Sequence, residues 1–242
     1  MEEINLAAKK LLFDGKIKKI FETDDKDKLI QEFKDDVGGL KGLTKHKIKN
    51  KGLINNEISS HIFEYLQSHH IGTYFISNLG DREMLIKRLK MIPFDIIIRN
   101  ITSDEFSQKY GIEEGMELET PVIEYYLKND KLDNPLLTES HITALKLITL
   151  EEFISIGRNI IKINAIMKSF FERRNIKLID FKLEFGIDKD HIILANELIP
   201  DNCHLWDIDA HNKFNKERFR FDNNNAAEAY QEIYKRVVGD KK

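Results

Sequence analysis

The chain has 242 residues, 33% of them charged, with 38 Lys and Arg against 41 Asp and Glu for a formal net charge of −3. The two signs are interspersed, so no basic stripe marks a nucleic-acid surface, and the Lys45–Lys51 run reads as a solvated loop. One cysteine, Cys203, excludes an internal disulfide and a multi-cysteine zinc site, and no aliphatic run is long enough to span a bilayer.

The first ninety residues read as short strands around one helix. Strands are predicted at Leu11–Asp14 and Lys16–Phe21 about a turn at Gly15, then at Leu29–Lys34, Thr73–Ile76 and Met84–Lys90. A helix from Ile54 to Gln67 carries Ile58, Ile62, Phe63 and Leu66 at near-helical spacing. After Pro93 a strand at Phe94–Ile98 precedes a helix at Ser103–Tyr110 and a strand at Val122–Tyr126. Thr149 and Glu152 form a capping-box pattern for a long helix reaching Arg173, whose Phe153, Ile156, Ile160, Ile163, Met167 and Phe170 make a core stripe. Strands from Leu178 and from His191 follow, and a helix at Ala226–Val238 closes the chain. The expected fold is α+β, with an antiparallel N-terminal sheet domain (1–90) against a larger mixed domain (91–242). The acidic Met1-Glu2-Glu3 opening lacks a signal-peptide pattern, so a cytoplasmic, membrane-free protein is expected.

The densest chemistry lies in Leu178–Gly186. Apolar and charged residues alternate there, which predicts Ile179, Phe181, Leu183 and Phe185 on one face and Asp180, Lys182 and Glu184 on the other. Two carboxylates flanking an ammonium suit a site for Mg²⁺ and phosphates; the alternative is a wet sheet face whose charges pair among themselves. Asn196, Glu197, Asp201 and His204 follow closely enough to converge on the same face. Lys16 and Lys18, two apart beside the Gly15 turn, would share one strand face and reach a nucleotide's phosphates. No Walker A loop is present. Arg99, at the end of an apolar strand, is placed to read a phosphate or to pair with a local acid.

Asp180-Phe181-Lys182-Leu183-Glu184-Phe185-Gly186, then Asn196-Glu197-x-x-Pro200-Asp201-x-x-His204-Leu205-Trp206-Asp207, closely resembles the SAICAR synthetase family. Gly15-Lys16-Ile17-Lys18, Lys51-Gly52-Leu53-Ile54-Asn55-Asn56, Pro93 to Asn100, Tyr126 to Asp130 and Arg218-Phe219-Arg220 also resemble family segments, in the same order. The resemblance implies an ATP-dependent ligase that joins L-aspartate to a carboxyaminoimidazole ribonucleotide, with ATP in a cleft between the two domains. It implies ATP contacts from Gly15, Lys16, Lys18, Lys128 and Glu184, and Mg²⁺ ligands from Glu184, Asp180 and Asn196. Lys182, Asp180 and Asp201 would serve the chemistry, and Arg99, His204 and Arg220 the substrate. Small-molecule partners are implied, nucleic acid is not, and a homo-oligomeric state is left open.

Several positions depart from the family pattern. Asp104 and Glu105 stand where the family has a neutral Gly-Ser loop, and His204 stands in place of an arginine. Asn196 and Asn134 replace aspartates, Val37–Gly42 lacks hydroxyl groups, and Asn223–Asn225 replace a glycine-rich turn. Two readings follow: a working ligase, or a nucleotide-binding descendant that has lost the activity and serves as a binding protein.

Overall fold

The computed structural model describes residues 10–36, 47–209 and 226–239. Its first sheet has the order β1-β2-β3-β5-β4, all antiparallel: β1 (Leu11–Asp14), β2 (Lys18–Glu22), β3 (Lys28–Phe33), β4 (Phe75–Gly80) and β5 (Glu83–Lys87). Helix α1 (Lys51–Ser68) lies on this sheet and is tied to the β4–β5 hairpin by Asn56, whose Nδ2 donates to the Gly80 carbonyl at 2.6 Å. The expected β2 strand was to start at Lys16. It starts two residues later, because the Gly15 N–H closes the turn onto the Lys18 carbonyl at 2.9 Å. The fourth strand starts at Phe75 rather than Thr73; Thr73 makes only an isolated parallel bridge to Leu194.

The second sheet is built around β10 (Ile176–Asp188), with the path β11-β10-β7-β8-β9. Its other strands are β7 (Phe94–Ile101), β8 (Glu117–Leu127), β9 (Leu136–Leu137) and β11 (His191–Ala195). Two more strands, β6 (Lys90–Met91) and β12 (Cys203–Asp207), also pair with β10. The pairs are antiparallel here too. Helices α2 (Asp104–Tyr110) and α3 (Glu139–Ala144) are short, and α4 (Leu150–Glu172) lies along β10. The capping box at its start is made: the Thr149 N–H donates to Glu152 at 2.7 Å, and the Glu152 N–H to Thr149 Oγ1 at 3.2 Å. Ile156, Ile160, Ile163, Met167 and Phe170 are buried as their spacing predicts. Helix α5 (Ala226–Val237) packs on α1, so one hydrophobic core runs through both sheets and all three long helices.

One expectation about β10 fails. A register shift between Leu178 and Asp180, opposite β12, interrupts the alternation. Leu178 therefore joins the main core with Phe181, Leu183 and Phe185, while Ile179 packs with Ile101 and Trp206 in a separate small cluster.

Gly52 shows how tightly α1 seats on the first sheet. A Cβ there would lie 2.6 Å from the Phe33 carbonyl oxygen, and the Gly52 N–H already donates to Asp35 Oδ1 at 2.8 Å. Backbone cannot yield as a side chain can. Gly52→Ala is expected to cost about 1–3 kcal/mol of stability, read as a lower urea midpoint at unchanged slope.

Candidate active site

Lys182 and Glu184 leave β10 on one side, facing Asp95 at the start of β7 and Lys128 just beyond β8. Lys182 Nζ lies 3.0 Å from Glu184 Oε1 and 3.3 Å from Asp95 Oδ2, and Lys128 Nζ lies 3.4 Å from Asp95 Oδ1 and pairs closely with Glu184. From the first sheet, Lys18 reaches across to the segment after β11. Its ammonium donates to Asn196 Oδ1 and to Glu197 Oε2, the latter at 2.5 Å, while Asn196 Nδ2 donates to Glu184. Three ammoniums thus face three carboxylates, Asp95, Glu184 and Glu197, at the junction of the two sheets.

This arrangement controls protonation. Burial alone would raise the Glu184 carboxyl, but Lys182, then Lys128 and Lys18, hold it down to about 2. Burial would lower the Lys182 ammonium, yet Glu184 and Asp95 raise it above its ordinary range. Both groups are charged at neutral pH.

Four residues along β10 a second cluster forms around Asp180. In register with it stand Arg99 on β7 and His204 on β12. Arg99 Nε donates to Glu124 of β8 at 2.7 Å, and its Nη1 lies 3.6 Å from Asp180 Oδ2. The Trp206 indole N–H donates to His204 Nε2 at 3.1 Å, so the other ring nitrogen, 3.3 Å from Asp180 Oδ2, carries the proton in this arrangement. Asp104 and Glu105 occupy the first turn of α2, capped by Ser103, where the helix dipole favours acidic side chains.

The spacing on β10 corrects the expected metal set. Residues four apart on a strand are about 13 Å apart, whereas Mg²⁺ holds its ligands at about 2.1 Å. Asp180 and Glu184 therefore cannot share one ion, and Asp180 belongs with Arg99 and His204. Asp201 also stands elsewhere than expected: its carboxylate oxygens are taken by Lys51, Asn55 and Tyr230. Lys16 is exposed in the turn before β2, so it does not share a strand face with Lys18. Arg220, Arg218, the Val37–Gly42 loop and Asn223–Asn225 lie outside the described residues. Sequence reasoning gave no site role to Asp95, Glu124 or Lys51. Glu197 was expected only to converge on the face.

Among the described residues no group of three or more His, Cys, Asp or Glu side chains could hold a metal alone. Glu184, with Asn196 Oδ1 once Lys18 releases it, nevertheless fits a Mg²⁺ half-site, since this ion commonly takes one or two protein oxygens and completes its shell with phosphates and water. Asn196 has φ 61°, a left-handed conformation that Asn adopts more readily than most residues.

A family model described as SAICAR synthetase matches residues 11–237. The chain belongs to the SAICAR synthetase family. It is 46% identical to the phosphoribosylaminoimidazole-succinocarboxamide synthase of Chlorobium phaeobacteroides (strain BS1), over 94% of this chain and 97% of that one. The same-named crystal structure from Ehrlichia chaffeensis superposes with a TM-score of 0.88 at 36% identity, covering 96% of this chain and 100% of its own. A SAICAR synthetase solved in complex with ADP superposes at 0.87 with 39% identity, covering 96% and 99%. These likenesses span both sheets, so the junction between them is part of what this SAICAR synthetase family member has in common with its relatives.

Acid should reveal the Glu184 cluster. A carboxyl with its folded pKa depressed from 4.5 to about 2 contributes stability that is present above pH 4.5 and lost as the pH falls toward 2. The contribution is on the order of 3 kcal/mol. Urea titrations at pH 7 and pH 3 should show a smaller stability difference in Glu184→Gln than in the unsubstituted chain.

Proposed function

We propose that this chain catalyses the ATP-dependent, amide-forming ligation of its family, condensing L-aspartate with 5-amino-1-(5-phosphoribosyl)imidazole-4-carboxylate to give SAICAR, ADP and phosphate. One observation carries the reading. Strand β10 sets Asp180, Lys182 and Glu184 in a row, with the Arg99–His204 cluster at one end and the Lys18–Lys128 cluster at the other. A ribonucleotide lying along that row brings its carboxylate to Lys182 and a nucleotide's terminal phosphate to Lys18 and Lys128.

The reaction then needs positioning and charge neutralisation more than covalent help. The substrate carboxylate oxygen attacks the γ-phosphorus and ADP leaves; the amine of aspartate adds to the activated carbonyl carbon, loses a proton, and phosphate departs with the carboxylate oxygen. Lys182, held charged between Glu184 and Asp95, offsets the negative charge that gathers when carboxylate meets phosphate. Lys18 and Lys128 exchange their carboxylate partners for phosphate oxygens. Glu184 and Asn196 would hold Mg²⁺, which when bound neutralises phosphate charge. Arg99, oriented by Glu124, serves the ribose phosphate, assisted by His204 and by Arg220.

The inactive-descendant reading loses ground to named synthases at 44–46% identity across 94% of this chain. An assay of ADP release with each substrate omitted in turn tests the proposal. Release should require ATP, the ribonucleotide and aspartate together; equal release without the ribonucleotide would overturn it.

A further inference from the structure

We propose that Lys51, Asp201 and Tyr230 form a positioning cluster that fixes the 196–204 segment and, through it, both ends of the active site. Lys51, the first residue of α1, is fully buried. Its ammonium donates to Asp201 Oδ1 at 2.7 Å and to the Asp36 carbonyl at 3.0 Å, and lies 5.5 Å from the centre of the Tyr230 ring. The second Asp201 oxygen accepts from Asn55 Nδ2 at 3.3 Å and from the Tyr230 hydroxyl. These groups come from four places: the segment just past β3, the start of α1, a short turn between β11 and β12, and α5.

An ammonium removed from water costs several kcal/mol unless it is paired and hydrogen-bonded, so Lys51 has strong reason to hold Asp201 where it is. Asp201 lies between Glu197, which grips Lys18 on the nucleotide side, and His204, which meets Asp180 on the substrate side. Further contacts hold the same stretch: the Leu198 N–H donates to Ser59 Oγ of α1 at 3.3 Å, and Asn202 Nδ2 to the Glu197 carbonyl at 3.0 Å. Helix α1 is thus the platform that sets the distance between the two ends. Lys51 and Tyr230 are buried and act through Asp201, not on substrate.

The inference rests on the proposed function for its consequence, but two of its readouts need no turnover. In the full chain, Lys51→Met, Asp201→Asn, their double variant and Tyr230→Phe would be compared by ADP calorimetry and hydrogen exchange, and by KM and kcat. Lys51→Met should weaken ADP binding and raise the ribonucleotide KM by about ten- to a hundredfold. Exchange should quicken over 196–204 while β10 stays protected. The double variant should recover most of the ADP affinity, because it leaves no unpaired charge, and Tyr230→Phe should shift exchange the same way by less. If Asp201→Asn abolishes turnover with ADP affinity and exchange unchanged, Asp201 belongs to the chemistry and the proposal fails. It fails equally if Lys51→Met lowers only the melting temperature. Lack of ligase activity in the unsubstituted chain would sink the functional reading and leave the exchange result standing.

Discussion

Lys182→Met is expected to slow turnover by about a hundred- to a thousandfold while ATP binding changes far less. Lys182 stands between the Asp180 and Glu184 clusters, and Lys18 and Lys128, the proposed nucleotide contacts, remain when it is removed. In the proposed reaction the lost ammonium is the one beside the reacting carboxylate, where charge builds up only as phosphoryl transfer proceeds. An interaction made in the transition state alone lowers kcat and kcat/KM together. Glu184 still has Lys128 and Asn196 as partners, so the fold should persist. Steady-state kinetics with ATP varied at saturating ribonucleotide and aspartate decide the matter. A variant with normal kcat and a raised KM for ATP would move Lys182 to the nucleotide-binding set.

Arg99→Met should both destabilise the chain and weaken ribonucleotide binding, and the two effects can be separated. Arg99 and Glu124 are a buried pair, 8% and 6% exposed in their side chains, joined at 2.7 Å. Removing one partner of such a pair leaves an uncompensated charge and typically costs about 3–5 kcal/mol. Replacing both by apolar groups is often nearly neutral. Arg99→Met should therefore lose several degrees of melting temperature, and Arg99→Met with Glu124→Leu should regain most of them. Ribonucleotide affinity should stay low in both, since neither carries the guanidinium. Recovery of affinity along with stability would show that Arg99 is only a structural strand-end arginine.

The parts of this molecule written in local pattern were legible before the structure. The Thr149–Glu152 capping box, the stripe from Ile156 to Phe170 and the Phe181-Leu183-Phe185 alternation each depend on neighbours within a few residues, and each forms as read. Local pattern failed at Ile179, because a bulge opposite β12 depends on a strand some 25 residues later and leaves no mark in the alternation. It failed at Lys16 because the hairpin turn spans more residues than its glycine suggests. Lys51 was overlooked for a different reason. A lysine at the end of a basic run reads as solvated, and only the fold brings it to Asp201, 150 positions away. The row of Asp180, Lys182 and Glu184 was seen as one site. The length of a strand residue divides it into two clusters, one around Glu184 and one around Asp180.

Activation of a carboxylate by phosphorylation on the β10 row, before it is yielded to an amine, is the step proposed for this site. Its most direct test is isotopic. The ribonucleotide would be prepared with ¹⁸O in its carboxylate, turned over with ATP and aspartate, and the released phosphate analysed by mass spectrometry. One labelled oxygen should appear in each phosphate, because the oxygen that attacks phosphorus leaves with it. Unlabelled phosphate accompanying SAICAR formation would contradict the account.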